Sequence, residues 1–315
     1  MEKPPLIILA GPTAVGKTDL SIALAKAVGG EIISCDSMQA YRYMDIGSAK
    51  ISPEEMQGVP HYLVDELLPT EDFNVAVFMA RAKKALESIY ANGHIPIAVG
   101  GTGFYIQALL YDTEFTAEED NQIRHRLEEI AQTEGGDALF RRLKEVDPAS
   151  AEKIHPNNVK RVIRAIEYYE LHGRPISEHN EQERRKESPY HFCYFVLNDS
   201  REHLYENIDK RVDLMLQAGL LEEVQKLHQM GYSRDLVSMQ GLGYKELLEY
   251  LEGDISLDEA IYKIKRDTRH FAKRQLTWFR NKPEVTWVSK DEFGYQKDQI
   301  LSYMLEQLHE KNIIS

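Results

Sequence analysis

The sequence predicts an α/β fold: a parallel sheet with helices on both faces, into which an all-helical domain is inserted. Three observations carry this. Through the first 113 residues, short apolar runs alternate with helical patterns, which implies right-handed crossovers between parallel strands. From Glu114 to Glu187 no strand-like run occurs, and 30 of 74 residues are charged, 17 acidic and 13 basic. An apolar strand then resumes at Phe192–Leu197, so the sheet is completed after the interruption.

Leu6–Ala10 reads as a buried strand and Asp19–Val28 as the helix after it. Glu31–Cys35 is a second strand, and Phe73–Tyr90 has helical spacing. Ile95–Val99 is a further strand, leading through Gly100-Gly101-Thr102-Gly103 into a helix that starts at Phe104. In the charged segment, Ile123–Ile130, Leu139–Val146 and Val159–Tyr169 carry narrow apolar stripes, as a thin, exposed helical module requires. Leu204–Phe279 is mostly helical, Val285–Val288 reads as a last strand, and a C-terminal helix starts at Tyr295. The expected division is residues 1–113 for the first part of the core, 114–190 for the insertion and 191–315 for the remainder.

At 315 residues the chain suits two domains, or one with a large insertion. Its 43% hydrophobic content supports a real core, and no apolar run approaches the roughly 18 residues of a membrane span. The first strand begins so close to Met1 that no signal peptide is expected. Cys35 and Cys193 lie far apart in no metal spacing, which fits packing roles and a reducing cytoplasm. A net charge of −13 argues against indiscriminate nucleic-acid binding, but it leaves room for a local basic groove.

The chemistry begins between the first strand and the first helix. There Gly11-Pro12-Thr13-Ala14-Val15-Gly16-Lys17-Thr18 fits G-x-x-x-x-G-K-[ST] in the strand-to-helix context that gives the pattern meaning. Its glycines let backbone N–H groups curl around an anion, and the new helix aims its positive end at the same point. Lys17 would neutralise diphosphate oxygens, and the Thr18 hydroxyl would sit on a bridging Mg²⁺. The sheet is therefore of the P-loop type. The loop demands a diphosphate and a metal, which a nucleoside triphosphate is only one way to supply.

Asp36 follows the second strand directly, in Ser34-Cys35-Asp36-Ser37-Met38-Gln39. A carboxylate there can hold the metal, act as a base, or simply close an Asx turn. Thr102 can donate to a phosphate or cap the helix behind it. P-loop nucleotidases carry another strand of four apolar residues ending in Asp, which holds Mg²⁺. Here Ile95–Val99 ends in glycines, and Tyr62-Leu63-Val64-Asp65 matches only weakly. The case for nucleotide hydrolysis is correspondingly thin.

A basic helix points to a polyanion. Ala260–Lys282 holds Lys263, Lys265, Arg266, Arg269, Lys273, Arg274, Arg280 and Lys282 against one acid, Asp267. On a helix, Ile261, Ile264, Thr268, Phe271, Gln275 and Trp278 fall on one side, leaving the cations opposite in water. Lys160, Arg161 and Arg164 form a smaller basic row in the insertion. Two basic patches in separate modules imply a partner larger than a metabolite.

In combination these segments resemble the tRNA dimethylallyltransferases, also called tRNA isopentenyltransferases. The resemblance rests on Gly11–Thr18, Asp36-Ser37-Met38-Gln39 with Tyr41, and Gly100-Gly101-Thr102-Gly103-Phe104-Tyr105. It continues with Ile154-His155-Pro156-Asn157-Asn158, Lys160-Arg161-Val162-Ile163-Arg164-Ala165-Ile166-Glu167, Gly241-Leu242-Gly243-Tyr244, and Lys273-Arg274-Gln275-Leu276-Thr277-Trp278-Phe279-Arg280. The ordered set spans nearly the whole chain. The resemblance implies that the loop cradles dimethylallyl diphosphate, and that the prenyl group passes to N6 of the adenine at tRNA position 37, 3′ of the anticodon. It also implies Asp36 as the base, with Thr18, Thr102 and Arg211 beside it and Mg²⁺ on Thr18. The implied tRNA contacts are Asp36, Ser37, Met38, Gln39, Thr102, Arg124, Lys160, Arg161, Val162, Ile163, Arg164, Gly241, Gly243, Tyr244, Lys273, Arg274, Gln275, Thr277 and Arg280. The partner would be the anticodon stem-loop, with the insertion clamping one side of it. A monomer in the cytoplasm, away from membranes, is expected.

Two rivals stand beside this reading. A P-loop kinase of a nucleoside or small metabolite shares the loop and Asp36 but leaves the basic helix unexplained. A non-catalytic RNA-binding ATPase explains the helix but lacks the Mg²⁺ strand.

Overall fold

The computed structural model describes residues 3–115, 121–282 and 284–314. The chain forms two compact units: a core made of Met1–Asp112 with Pro189–Ser315, and a helical unit, Thr113–Ser188.

In chain order the core runs β1 (Pro5–Ala10), α1 (Lys17–Val28), β2 (Gly30–Ser34), α2 (Pro53–Met56), β3 (His61–Tyr62), α3 (Val75–Ala91), β4 (Ile95–Gly100) and α4 (Gly103–Leu110). The helical unit holds α5 (Asn121–Thr133), α6 (Gly136–Val146), α7 (Pro148–Ala151), α8 (Val159–His172) and α9 (Ile176–Arg184). The core resumes with β5 (His191–Asn198), α10 (Arg201–Gln217), α11 (Leu220–Gln229), α12 (Tyr244–Leu251), α13 (Leu257–Arg280), β6 (Val285–Ser289) and α14 (Lys297–Glu310).

The six strands form one parallel sheet in the order β3-β2-β4-β1-β5-β6. β1 sits between β4 and β5, with Ile7 opposite Ile97 on one side and Cys193 on the other. It is buried throughout Leu6–Ala10, which is why its sequence is a continuous apolar run and not an alternation. Because every strand points the same way, the segments after β1, β2, β4 and β5 emerge on one edge. That edge carries Gly11, Asp36, Thr102 and Asp199, where ligands of open α/β sheets bind.

Several element ends differ from expectation for local reasons. The Asn74 side chain accepts from the N–H groups of Ala76 and Val77, so α3 starts after a cap while Phe73 stays outside it in the core. A 3₁₀ turn at Lys290–Phe293 delays the last helix from Tyr295 to Lys297. β3 has only two residues, too few for a periodic signal. The Asp65 carboxylate, the weak candidate for a metal-holding strand end, pairs instead with Lys50 at 2.8 Å.

The helical unit has its own small core of Leu127, Leu139, Leu143, Val162, Ile163, Ala165 and Ile166. Within it the carboxylate of Glu167, 2% exposed, accepts from Arg124 at 2.7 Å and Arg164 at 3.1 Å. A carboxylate that deep needs such partners, and these two arginines are spent partly on holding the fold.

Candidate active site

The loop after β1 is built by backbone reversals. Gly11, Ala14 and Gly16 take φ values of 152°, 63° and 90°. Only glycine fits at Gly11, since a Cβ there would lie 2.8 Å from the Leu197 carbonyl oxygen. Gly16 caps α1 without a side chain, so among the described residues no side chain caps the N–H groups of that first turn. The Lys17 amine arches over the loop and donates to Gly11 O at 3.0 Å and Pro12 O at 2.7 Å. Thr18 is exposed on the first turn of α1.

Gln275 ties this loop to the second glycine turn. Its Oε1 accepts from the Thr13 N–H at 2.9 Å, and its Nε2 donates to Gly101 O at 3.0 Å. A Cβ at Gly101 would meet that Nε2 at 2.1 Å, so the strut needs glycine there to keep this position. Gln275 is 7% exposed and acts as a strut between the two loops.

Three charges interact at the sheet edge. Burial lowers Lys17 to a pKa of about 8; Asp36 opposes this fall and Arg211 adds to it. Arg211, on α10, is likewise brought below the usual guanidinium range by burial, with Asp36 opposing. Lys17 is therefore cationic at neutral pH, but with little to spare. A dianionic ligand would relieve the mutual repulsion of Lys17 and Arg211.

Beside these charges opens a cavity of about 430 Å³. Thr13, Asp36, Thr102 and Arg211 give it polar walls; Met38, Ile208, Val212, Met215, Ile264 and Phe271 give it an apolar one. The Asp36 Oδ1 accepts from the Met38 N–H at 2.8 Å, closing an Asx turn. The structural and functional uses of this residue thus coexist: one oxygen fixes the turn while the carboxylate borders the cavity. Thr102 occupies the cap position of α4 but makes no capping bond, so its hydroxyl is left for the cavity.

Other expected contacts are placed differently. Tyr244 is fully buried, and its hydroxyl donates to Glu223 Oε1 at 2.7 Å. Val162 and Ile163 lie in the core of the helical unit, on the inner face of α8, so neither is a surface contact. Gln39 is held by the protein itself, accepting from the Ser34 hydroxyl and donating to Ala49 O, each at 3.1 Å. Ser37, Met38, Gly241 and Gly243 border the cavity. Lys160, Arg161, Lys273, Arg274, Thr277 and Arg280 are exposed. On α13 the buried stripe is Ala260, Ile264, Ala272, Gln275 and Phe279, so Trp278 turns outward, 36% exposed, where the spacing had placed it inward.

Sequence reasoning missed Glu223. Its carboxylate accepts from the consecutive N–H groups of Asp45, Ile46 and Gly47 at 2.8 to 3.1 Å, fixing the loop that forms one cavity wall. One of two adjacent acids, Glu222 and Glu223, in the first turn of an amphipathic helix carries no local signal of such a partner. The apolar wall from α10 and α13 was equally hidden, since its residues look like ordinary core positions.

Known proteins resemble this chain over most of its length. The IPP transferase family profile matches residues 39–282. A protein of Lachnoclostridium phytofermentans described as a tRNA dimethylallyltransferase is 62% identical over 311 residues, covering 98% of this chain and 99% of that one. Another of that description, from Acetivibrio thermocellus, is 52% identical over 91% of this chain and 92% of its own. Among solved structures, the tRNA isopentenylpyrophosphate transferase of Bacillus halodurans superposes with a TM-score of 0.73 at 44% identity, covering 98% of both chains. A eukaryotic dimethylallyltransferase acting on tRNA gives 0.79 at 30% identity, over 91% of this chain and 74% of its own.

Proposed function

The chain belongs to the tRNA dimethylallyltransferase family, and from that premise we infer that it transfers the dimethylallyl group of dimethylallyl diphosphate to the N6 amine of an adenine in tRNA, releasing diphosphate. The observation that supports the chemistry is the single cavity in which Thr13 of the loop, Asp36, Thr102 and Arg211 meet an apolar wall. Such a chamber suits an anionic head, a short hydrocarbon and a base entering beside a carboxylate.

The allylic C–O bond breaks with its electron pair going to the diphosphate. Lys17, Arg211 and the N–H groups of the loop would already surround the charge that gathers there. The N6 lone pair forms the new C–N bond, and the surplus proton goes to Asp36, whose Oδ2 is not used by the Asx turn. The Thr102 hydroxyl would hold the base or the donor in line. Mg²⁺ is the proposed counter-ion, neutralising the leaving group when bound. The exposed Thr18 hydroxyl fits it, because a hard cation of this size takes most of its ligands from phosphate oxygens and water. Among the described residues no cluster of three His, Cys, Asp or Glu offers a richer site.

The proposed target is the adenine at position 37, in an anticodon loop whose partial unstacking lowers the cost of drawing a base into the cavity. Lys273, Arg274, Arg280, Lys160 and Arg161 would meet the RNA backbone. The enzyme is proposed to act as a cytoplasmic monomer. A kinase reading leaves the apolar wall and the exposed cations without a purpose.

The test incubates the protein with unmodified tRNA, labelled dimethylallyl diphosphate and Mg²⁺, and in parallel with labelled ATP. Prenylated RNA is the expected product; ATP turnover without prenyl transfer would refute the assignment.

A further inference from the structure

The sheet edge holds a second lysine at the loop, from a part of the chain no motif covers. Lys290 follows β6, and its Nζ donates to the Val15 carbonyl at 3.0 Å. A Cβ built on Gly16 would lie 3.3 Å from that amine. Behind it stands Asp199, which follows β5 and whose side chain is fully buried. Its Oδ1 accepts from the Ser200 N–H at 2.8 Å and the Tyr295 hydroxyl at 3.2 Å. Its Oδ2 pairs with the His203 Nδ1 at 2.8 Å and lies 3.9 Å from the Lys290 amine. The ring of Tyr295 lies 5.8 Å from the same amine. Lys290 is thus tethered at a fixed point, with only 20% of its side chain exposed.

We propose that Lys290 is a positioning residue for diphosphate binding, acting through the Val15–Gly16 peptide. This rests on the loop cradling a diphosphate, as inferred above. A trans peptide is planar, and its C=O and N–H point in opposite directions. A cation that fixes the Val15 oxygen therefore fixes the Gly16 N–H on the other side of the same plane. It also withdraws electron density from that amide, making the N–H a stronger donor to an anion. Gly16 sits at the N-terminus of α1, where the unbonded N–H groups and the helix dipole already favour negative charge. Lys17 acts on the same loop through Gly11 and Pro12, so the two lysines hold three of its carbonyls.

The experiment measures the affinity of inorganic pyrophosphate with Mg²⁺ for the wild type, Lys290→Met and Lys290→Arg, together with tRNA affinity and the Gly16 amide proton resonance. Lys290→Met should bind pyrophosphate about tenfold more weakly and Lys290→Arg within about threefold of wild type. The Gly16 resonance should move upfield in Lys290→Met, while tRNA affinity stays unchanged. The proposal is overturned if Lys290→Met binds pyrophosphate as tightly as wild type, or loses tRNA affinity to the same degree. Should Lys290→Met melt early, Lys290→Gln replaces it, and the charged Arg variant must still bind pyrophosphate more tightly than the neutral one. Pyrophosphate binding does not depend on prenyl transfer, so failure of the assigned reaction and failure of this inference give different results.

Discussion

The loop and the basic helix both gather positive charge, and they do so by opposite means. In the loop, Lys17 and Arg211 are few, shielded from water and electrically coupled to Asp36. On α13 the cations are many and lie in water, and its two halves behave differently. In the N-terminal half Lys263 lies 3.2 Å from Glu249, Lys265 2.6 Å from Asp213, Arg266 2.8 Å from Asp267, and Arg269 2.5 Å from Asp209. In the C-terminal half, no carboxylate among the described residues pairs with Lys273, Arg274 or Arg280. Half of a conspicuous basic stretch is thus already neutralised, by acids of α10 and α12 and by Asp267 of α13 itself. A charge run in a sequence counts residues; only the fold counts the charge left for a partner.

The contrast can be broken from its strong end downward. Asp36→Ala should lower single-turnover prenyl transfer by about a thousandfold, with tRNA and pyrophosphate affinities nearly unchanged. Normal turnover would remove Asp36 from the proposed chemistry. Lys17→Met should cost about a hundredfold in kcat. It should also abolish a pH dependence that the wild type is expected to show. With the Lys17 pKa depressed to about 8, the amine is charged below that pH and loses its proton above it. Affinity for a non-reactive dimethylallyl diphosphate analogue, corrected for the ligand's own ionisation, should therefore fall as the pH rises through about 8. A flat profile would mean that the ligand pins the proton in place.

The two halves of α13 are separated by salt. Lys273→Ala combined with Arg280→Ala should reduce the slope of log affinity for tRNA against log salt by about 1.4, as expected for two lost phosphate contacts in a single-stranded loop. Lys263→Ala combined with Lys265→Ala should leave that slope within about 0.3, because those amines already have carboxylate partners. Equal slopes for both pairs would erase the distinction between the halves.

Much of the core was legible because the signals are local. The continuous apolar runs of β1, β4 and β5 mark strands buried on both faces, and the loop at Gly11–Thr18 is read from consecutive residues. Asp36 and Thr102 were legible for a related reason: each directly follows a strand, and parallel strands end on one edge. Gln275 and Tyr244 lie among exposed or motif residues yet turn inward to partners far away in sequence, which no local pattern announces. Val162 and Ile163 share a row with Lys160, Arg161 and Arg164, but a helix sends such neighbours to opposite faces. Trp278 lies outward because the buried stripe of α13 passes through Ala272 and Phe279, each one position beyond the expected Phe271 and Trp278.

By itself the sequence determined the strand-loop-helix cradle, the alternation that makes a parallel sheet, and the charged helical interruption, all of which depend on short-range periodicity and backbone stereochemistry. The tertiary structure alone decided which cations remain available, which polar side chains serve as struts, and that α10 and α13 supply an apolar wall beside Asp36. Those outcomes depend on pairing between residues far apart along the chain, such as Thr13 and Gln275, 262 positions from each other. Burial and Coulomb interactions act through space, and the order of residues along a chain does not record which distant groups will become neighbours.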